Sequence, residues 1–145
     1  VIRGREYLAW RYQNREKYKI LCAYQNKELL GYLVLAVEEK QAKDESILKM
    51  GHIADVVVLQ EEKEAFIQLL LEGEKNLKQQ GACGISCWMM KNWFYGELLS
   101  KNGYLQLRSP SVLAVLPVGE KAEMQKEALL EPSNWFVTIG DSDYI

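Results

Sequence analysis

The stretch that decides the fold begins GHIADVVVL (residues 51–59), an apolar and β-branched run typical of a strand. In residues 60–80, apolar side chains recur every three or four positions, which predicts a helix with one buried face that ends at Gly81. Residues 85–89 (ISCWM) predict a second strand. A strand, a helix and a strand of these lengths form a βαβ unit, and the two strands of such a unit are parallel.

The segments before this unit predict a short helix and a β-hairpin. Residues 6–12 are typical of a short helix or a helix end, and residues 18–24 (YKILCAY) of a strand. Residues 29–37 (LLGYLVLAV) form a nearly continuous apolar run, which predicts a strand buried on both faces. Residues 38–49 are charged without a sustained period, so we predict an exposed loop there, with a short helix as the alternative.

The segments after the unit predict a mixed sheet and a C-terminal extension. Residues 92–101 predict a helix, which ends at Asn102 and Gly103. Two strands are predicted next, at residues 104–107 and 112–117. A helix at residues 119–130 and a last strand at residues 135–139 follow. The predicted fold class is therefore α/β (α+β), with a mixed, mostly antiparallel sheet around a central βαβ unit.

Composition bounds the classes of function. The chain has 145 residues, 48% of them apolar, and a net charge of −2. This favours one folded domain, and it lacks the strong positive field that nucleic-acid binding without sequence preference requires. The apolar runs are too short to cross a bilayer and no leader peptide is visible, so we expect no membrane association.

The cysteines indicate a reducing compartment. The chain has an odd number of cysteines, Cys22, Cys83 and Cys87, and they lack the C-x-x-C spacing. We therefore predict buried free thiols and a cytoplasmic protein. Cys83 and Cys87 could be considered a metal pair, but the chain has one His, from which a four-ligand zinc site is hard to assemble. We expect no metal.

Three local patterns, in order, resemble the GNAT (Gcn5-related N-acetyltransferase) superfamily. The first is WRY at residues 10–12, followed by a strand and by ELLGY at residues 28–32. The second is a strand ending DVVVL that leads into a long helix ending Gln80-Gly81, and the third is Asn92 followed by LLSKNGY at residues 98–104. The resemblance covers about residues 7–118.

The family's first strand and first two helices do not appear in the sequence and would precede Val1. This pattern predicts a GNAT-like domain over residues 1–118 that lacks its N-terminal elements, and a C-terminal extension over residues 119–145. A sheet edge left by the missing strand would need cover, so we expect either a homodimer or the absent N-terminal portion there.

The resemblance implies acetyl-CoA or another acyl-CoA as co-substrate and a small-molecule amine as acceptor. It further implies that backbone groups of Val57, Val58 and Leu59 would hold the pantetheine arm as an added strand. Gln60, where the phosphate loop would begin, and Asn92 are the remaining candidate cofactor-binding residues.

Two positions depart from the family pattern. Family members hold the pyrophosphate on a glycine-rich loop, whereas residues 59–65 (LQEEKEA) contain no glycine and three carboxylates, which repel a phosphate but suit a helix N-terminus. The family's general acid, a Tyr seven residues after the motif Asn, is replaced by Leu99. Tyr95, one helical turn earlier, is the candidate replacement acid, with core packing as the alternative.

Asp55 and His52 are the candidates for the general base. Strict alternation along a strand would place them on opposite faces, so they would not pair with each other. Asp55 lies in an apolar strand and, if buried, needs a partner. Its role is either catalytic or ligand-binding, or it caps the backbone or forms a salt bridge. We select Asp55 and Tyr95 as the candidate catalytic residues.

Two functions therefore remain open. The first is a GNAT-like, acyl-CoA-dependent N-acyltransferase domain, and the second is a catalytically inactive GNAT-like binding or scaffolding module of a larger protein. The glycine-free segment 59–65 and Leu99 are the features that raise the second.

Overall fold

The structure is a computed structural model that describes residues 3–14, 16–89, 94–107, 118 and 124–142. Short 3-10 helices cover Pro132–Asn134 and Ile139–Asp141. The strands and α-helices, in chain order, are α1 (Arg5–Arg11), β1 (Tyr18–Gln25), β2 (Glu28–Gln41), β3 (Ile47–Val58), α2 (Lys63–Gln79), β4 (Gly84–Cys87), α3 (Phe94–Lys101) and α4 (Lys126–Leu130).

The described strands form a mixed sheet in the order β1-β2-β3-β4. The pairs β1–β2 and β2–β3 are antiparallel, and β3 and β4, which α2 connects, are parallel. The predicted mixed α/β fold with a central βαβ unit is confirmed, and so is the short helix before the first strand.

A two-residue turn joins β1 to β2. Asn26 and Lys27 both have positive φ, 49° and 71°. Turns of this kind match the twist of a hairpin, and Asn tolerates the left-handed conformation better than most residues. The predicted hairpin is therefore confirmed.

The exposed loop predicted for residues 38–49 is wrong. β2 continues to Gln41 and β3 begins at Ile47, so the second hairpin turn covers only residues 42–46. The charged residues of this ribbon pair across the strands, and the Lys49 ammonium lies 3.1 Å from the Glu39 carboxylate. Backbone ladder bonds form regardless of side-chain polarity, and a ribbon end in water needs no apolar face.

Helix α2 covers one face of the sheet. The helix begins at Lys63 rather than at residue 60. All five of its predicted inward-facing positions are buried, namely Phe66, Leu69, Leu70, Gly73 and Leu77. Gly73 permits the close approach, because a Cβ there would lie 2.7 Å from Leu33 Cδ2. The opposite face is a separate core of Tyr12, Tyr18, Tyr32, Val34, Ala36 and Ala54.

A β-bulge in β3 changes which side chains share a face. Asp55 pairs with Val34, and Ile53 with Leu35, which leaves Ala54 between them without a partner on β2. His52 pairs with Ala36. Since Val34 and Ala36 are two positions apart on one strand, His52 and Asp55 lie on the same face, and the prediction that they lie on opposite faces is wrong.

The chain divides into two compact units, residues 1–88 with 138–145 and residues 89–137. The domain boundary predicted after residue 118 stays a prediction, because residues 108–117 and 119–123 lie outside the described part of the chain.

In the second unit, α3 confirms the predicted helix from Phe94 onward, and α4 covers the end of the helix predicted for residues 119–130. The strand predicted for residues 112–117 lies outside the described residues. The strands predicted for residues 104–107 and 135–139 are wrong, since both segments are irregular and the second leads into a 3-10 helix. Short apolar runs form strands only when a neighbouring strand pairs with them.

Candidate functional site

The Asp55 carboxylate is the centre of a buried polar network. Asp55 is 1% exposed, and Arg3 Nε donates to both of its oxygens at 3.1 Å. Thr138 Oγ1 donates to Oδ1 at 3.1 Å and the Val56 N–H donates to Oδ1 at 3.0 Å, while Tyr32 Oη donates to Oδ2 at 3.0 Å. The expectation that a buried Asp55 needs a partner is confirmed, and the partner is a cation with three further donors.

Two arginines hold the C-terminal segment against β3. We call residues 138–142 the C-terminal strap. Arg3, besides binding Asp55, donates through Nη2 to the Asp141 carboxylate at 2.5 Å. Arg11 donates through Nε to the Gly140 carbonyl at 2.7 Å and through Nη2 to the Ser142 carbonyl. The strap is therefore tied to α1, to the segment before it and to Asp55.

Charge and burial set the protonation states of this network. Burial opposes the charge of Arg3, but Asp55 and Asp141 outweigh it and raise the pKa of the Arg3 guanidinium. Burial first, and the Asp55 charge second, raise the pKa of the Tyr32 hydroxyl and that of Tyr12. Tyr32 therefore remains a hydrogen-bond donor to Asp55 at any physiological pH.

Among the described strands, β3 continues past Asp55 beyond the end of its pairing with β4. The last pair between β3 and β4 is Ile53 with Cys87, so β3 extends five residues, 54–58, beyond that pairing. Crevices at the carboxyl ends of parallel strands are preferred ligand sites in α/β folds. The predicted pantetheine residues Val57 and Val58 both lie on this stretch.

The alternation of hydrogen bonds along the β2–β3 ladder determines where the backbone groups of these residues point. The Leu59 N–H donates to the Leu30 carbonyl at 3.3 Å, and the Leu59 carbonyl accepts from the Glu62 N–H at 2.9 Å. Because antiparallel pairs alternate, Val57 then directs its backbone groups toward β2, whereas those of Val58 point away from β2.

The segment between β3 and α2 is acidic, as the sequence predicts. Gln60 and Glu61 are exposed in the turn, and Glu62 is the N-cap residue without a side-chain capping bond. Glu64 lies exposed in the first turn. Carboxylates here stabilise the positive end of the helix, and each would repel a phosphate by about 1 kcal/mol at 4 Å in water.

Tyr95, the predicted acid, lies on α3 in the second unit and is 2% exposed. Its ring centroid lies 6.0 Å from that of Phe136. Leu99, one turn later, is also buried, at 7% exposure. Asn92 lies outside the described residues, so its predicted role stays a prediction, as does that of Tyr95.

His52 belongs to a second polar row across the sheet. Its Nδ1 lies 2.8 Å from Ser86 Oγ on β4, and its Nε2 lies 3.3 Å from Glu38 Oε2 on β2. Burial lowers the pKa of the His52 imidazole, although Glu38 opposes this shift. At neutral pH the imidazole is therefore uncharged, and its Nδ1 contact with Ser86 joins β3 to β4.

The cysteines are free, as predicted, but the predicted burial is wrong, since none of them is fully buried. Cys22 and Cys83 are exposed, and Cys87 is half-buried. Burial, and to a smaller extent Asp55, raise the pKa of the Cys87 thiol to about 12. Cys22 lies on the edge strand β1 and Cys83 lies in the turn before β4, where little packs over them.

Sequence reasoning missed Arg3, Arg11, Thr138 and Asp141. The T-x-x-D spacing from Thr138 to Asp141 is a local signal of a capped turn, and the Thr138 N–H does donate to Asp141 Oδ2 at 2.9 Å. The contact of Arg3 with Asp55 spans 52 positions and carries no such signal.

No protein-family model matches the sequence, and no curated protein matches it. Solved structures do match. An aminoglycoside antibiotic 6'-N-acetyltransferase from Acinetobacter haemolyticus is 12% identical, with a TM-score of 0.58 over 77% of this chain and 78% of that one. An aminoglycoside acetyltransferase from an uncultured soil metagenomic sample, in complex with sisomicin, is 14% identical, with a TM-score of 0.56 over 82% and 77%.

An acetyltransferase from Vibrio fischeri is 19% identical, with a TM-score of 0.46. The match covers 52% of this chain and 63% of that protein's length. The likeness to the two aminoglycoside acetyltransferases agrees with the order of the elements. The chain has the GNAT fold, as its sequence patterns predict.

Within the described residues, no three His, Cys, Asp or Glu side chains are grouped closely enough to hold a metal ion. The same part of the chain contains no helix long and apolar enough to cross a membrane.

Proposed function

We propose that the chain is a GNAT-type N-acyltransferase domain that uses acetyl-CoA or another acyl-CoA and acts in the cytoplasm on a small-molecule amine. The observation that carries this proposal is the stretch 54–58 of β3, which extends beyond the β4 pairing in a GNAT fold. Support for the acceptor class comes from the aminoglycoside acetyltransferases of the same fold. The free cysteines support a reducing compartment.

In this reaction the amine nitrogen attacks the thioester carbonyl carbon, the carbon–sulfur bond breaks, and the amine loses a proton while the thiolate gains one. We assign the base to Asp55 and the acid to Tyr95. Val57, Val58 and Leu59 would hold the pantetheine arm along the part of β3 that lies beyond the β4 pairing. Gln60 and Asn92 would lie toward the nucleotide end.

The acidic segment provides a test that binding alone can answer. The double change Glu61→Gln and Glu64→Gln removes two carboxylates beside the place where a pyrophosphate would lie. We expect the Kd for acetyl-CoA to fall at least fivefold, since each charge contributes about 1 kcal/mol of repulsion at 4 Å in water. Isothermal titration at low salt measures this change.

The matched control is Glu74→Gln, which removes a carboxylate farther along the same helix. It should leave the Kd unchanged. Equal tightening in the control would mean that net charge, rather than a local phosphate site, sets the affinity. Absence of any acetyl-CoA binding, in the native chain and in both variants, would contradict the proposal.

The second candidate function is an inactive GNAT-like binding module. Leu99 favours it, because it is buried and because, in the pattern that resembles the family, it stands where the family has its acid. On this hypothesis Leu99→Tyr alone produces no turnover. Measurable turnover in that variant would show that the acidic segment does not prevent acyl-CoA binding, and would favour the enzyme.

The predicted partner at the sheet edge remains part of the proposal. β1 is the edge strand, and Ile20 and Tyr24 on it are 42% and 64% exposed. Apolar edge strands invite pairing with another strand, from a second copy or from an N-terminal portion.

A further inference from the structure

The Asp55 carboxylate has no access to a substrate while the C-terminal strap is in place. Its Oδ1 accepts from Arg3, Thr138 and Val56, and its Oδ2 accepts from Arg3 and Tyr32. The residue is 1% exposed. A general base must approach the proton that it removes to about 2.6–3.2 Å between heavy atoms, directly or through one water.

Two of the four groups that donate to Asp55 depend on the strap. Thr138 belongs to it and donates directly. Arg3 is held in place by Asp141, which also belongs to the strap. Displacement of the strap would therefore remove one donor from Asp55 and release the second anchor of the guanidinium. Tyr32 and Val56, which lie on the sheet, would remain.

The strap holds its shape through hydrogen bonds of its own. The Asp141 N–H donates to the Thr138 carbonyl at 3.1 Å, and the Ser142 N–H donates to the Ile139 carbonyl at 3.0 Å. These bonds are internal to the strap and involve no residue of the sheet.

The strap rests on the sheet through a close steric contact. A Cβ on Gly140 would lie 2.0 Å from Tyr12 Oη and 3.0 Å from the Ala54 carbonyl oxygen. The contact thus lies at the β3 bulge, one residue beyond Ile53, where the pairing with β4 ends.

We propose that the C-terminal strap is an autoinhibitory gate over Asp55. When the strap is closed, Asp55 serves as the buried counter-ion of Arg3. When the strap is open, the position that Thr138 held at Asp55 Oδ1 is vacated, and Oδ1 accepts a proton there from the acceptor amine. This gate rests on the proposed function, since it regulates the base of that same site.

The test measures access to Asp55 in the full chain. Carboxylates are coupled to glycinamide with a water-soluble carbodiimide, and peptide mass spectrometry follows the rate at each residue. In the native chain we expect Asp55 to react at least tenfold more slowly than the exposed Glu127. In Asp141→Asn and in Gly140→Ala we expect the Asp55 rate to rise at least tenfold. The control Asp44→Asn, which removes one charge at an exposed turn, should leave the rate unchanged.

A rescue variant separates strap opening from general damage. Tyr12→Phe removes the hydroxyl that a Cβ at position 140 would strike, so Gly140→Ala with Tyr12→Phe should return Asp55 toward its native rate. Hydrogen–deuterium exchange should show faster exchange in the strap of both single variants, with β2 unchanged.

Three results would overturn the gate. One is an Asp55 rate in the native chain equal to that of Glu127. Another is a slow Asp55 in variants whose strap amides exchange fast. The third is exchange in β2 that accelerates together with the strap, because the strap would then not open by itself.

Acetyl-CoA distinguishes failure of the gate from failure of the proposed function. If both hold, Asp141→Asn turns over acetyl-CoA and an amine at least ten times faster than the native chain. If labelling shows the gate but no form of the chain binds acetyl-CoA, the function fails while access to Asp55 remains controlled by the strap. If Asp55 becomes accessible and turnover stays at the native rate, the gate is not autoinhibitory.

Discussion

The stability of the fold depends on the pairing of the buried Asp55 charge with Arg3. The carboxylate and the Arg3 side chain are 1% and 8% exposed, and they lie 3.1 Å apart. Breaking such a pair from one side leaves the other charge buried and uncompensated. The carboxylate therefore contributes to stability whatever its role in catalysis.

We predict that Asp55→Asn lowers the free energy of unfolding by about 3–5 kcal/mol, because Arg3 keeps its charge and loses its anion. Urea unfolding followed by circular dichroism measures the change. The control Asp44→Asn, at an exposed turn, should stay within about 0.5 kcal/mol of the native chain. A loss below about 1 kcal/mol for Asp55→Asn would show that water already reaches the pair.

Protonation of His52 makes the free energy of unfolding depend on pH. Its pKa in the folded chain lies below the ordinary 6.5 because burial disfavours the charged form. The unfolded chain therefore binds more protons just below pH 6.5, so the free energy of unfolding falls as the pH drops through that value. His52 is the only histidine, so no other imidazole contributes.

The measurement compares unfolding at about pH 7.5 and at about pH 5.5, which bracket the histidine range. The native chain should lose stability over this interval. His52→Gln, which cannot titrate, should lose markedly less. Identical losses in the two proteins would assign the pH dependence to the carboxylates instead.

At the scale of elements, the contact between α2 and the sheet depends on a helical glycine. Replacing Gly73 by Ala should favour the helix itself, by about 1 kcal/mol from propensity. The new Cβ would, however, lie 2.7 Å from Leu33 Cδ2 and 3.3 Å from Leu35 Cδ2. Both leucines are fully buried, so neither can move freely.

We therefore predict that Gly73→Ala destabilises the chain by about 1–3 kcal/mol, the range for an overpacked core, despite the better helix propensity. Thermal or urea unfolding measures the sign. Lys75→Ala, on the exposed face of the same helix, is the control and should be nearly neutral. A stabilised Gly73→Ala chain would mean that α2 lies farther from the sheet.

The β3 bulge shows where period-two reasoning fails. Residues 52 and 55 are three apart, and only the extra residue at position 54 returns them to one face. Bulges depend on how two strands pair, so neither strand reveals one alone. The same limit applies to residues 38–41 and 47–49, which became strand because each segment pairs with the other.

At the scale of the whole molecule, the three thiols report on the fold. Cys22 and Cys83 are exposed, whereas burial raises the pKa of Cys87 to about 12. Since the thiolate is the reactive form, Cys87 should react slowly in the native chain.

We predict that a colorimetric thiol reagent at neutral pH modifies two cysteines rapidly and the third only after addition of denaturant. Cys87→Ser should abolish the slow phase, and Cys22→Ser should remove part of the fast one. Three fast thiols in the native chain would place Cys87 at the surface, in conflict with the structure.

The sequence by itself determined the hairpin, the βαβ unit and the mixed sheet. These rest on local signals: a run of β-branched residues, a helical period from Phe66 to Leu77, and turn residues at the ends. Such signals act between neighbours in the chain, so they can be read without knowing its partners. The resemblance to the GNAT fold followed from their order.

Only the tertiary structure decided the surroundings of Asp55. Arg3 and Thr138 are separated from it by 52 and 83 positions, and the strap that carries Thr138 was predicted as part of a strand. Which distant side chains meet a buried carboxylate depends on how the folded chain brings its ends together over the sheet. A desolvated charge accepts only an arrangement that satisfies its hydrogen bonds, and that requirement acts after the sheet has formed.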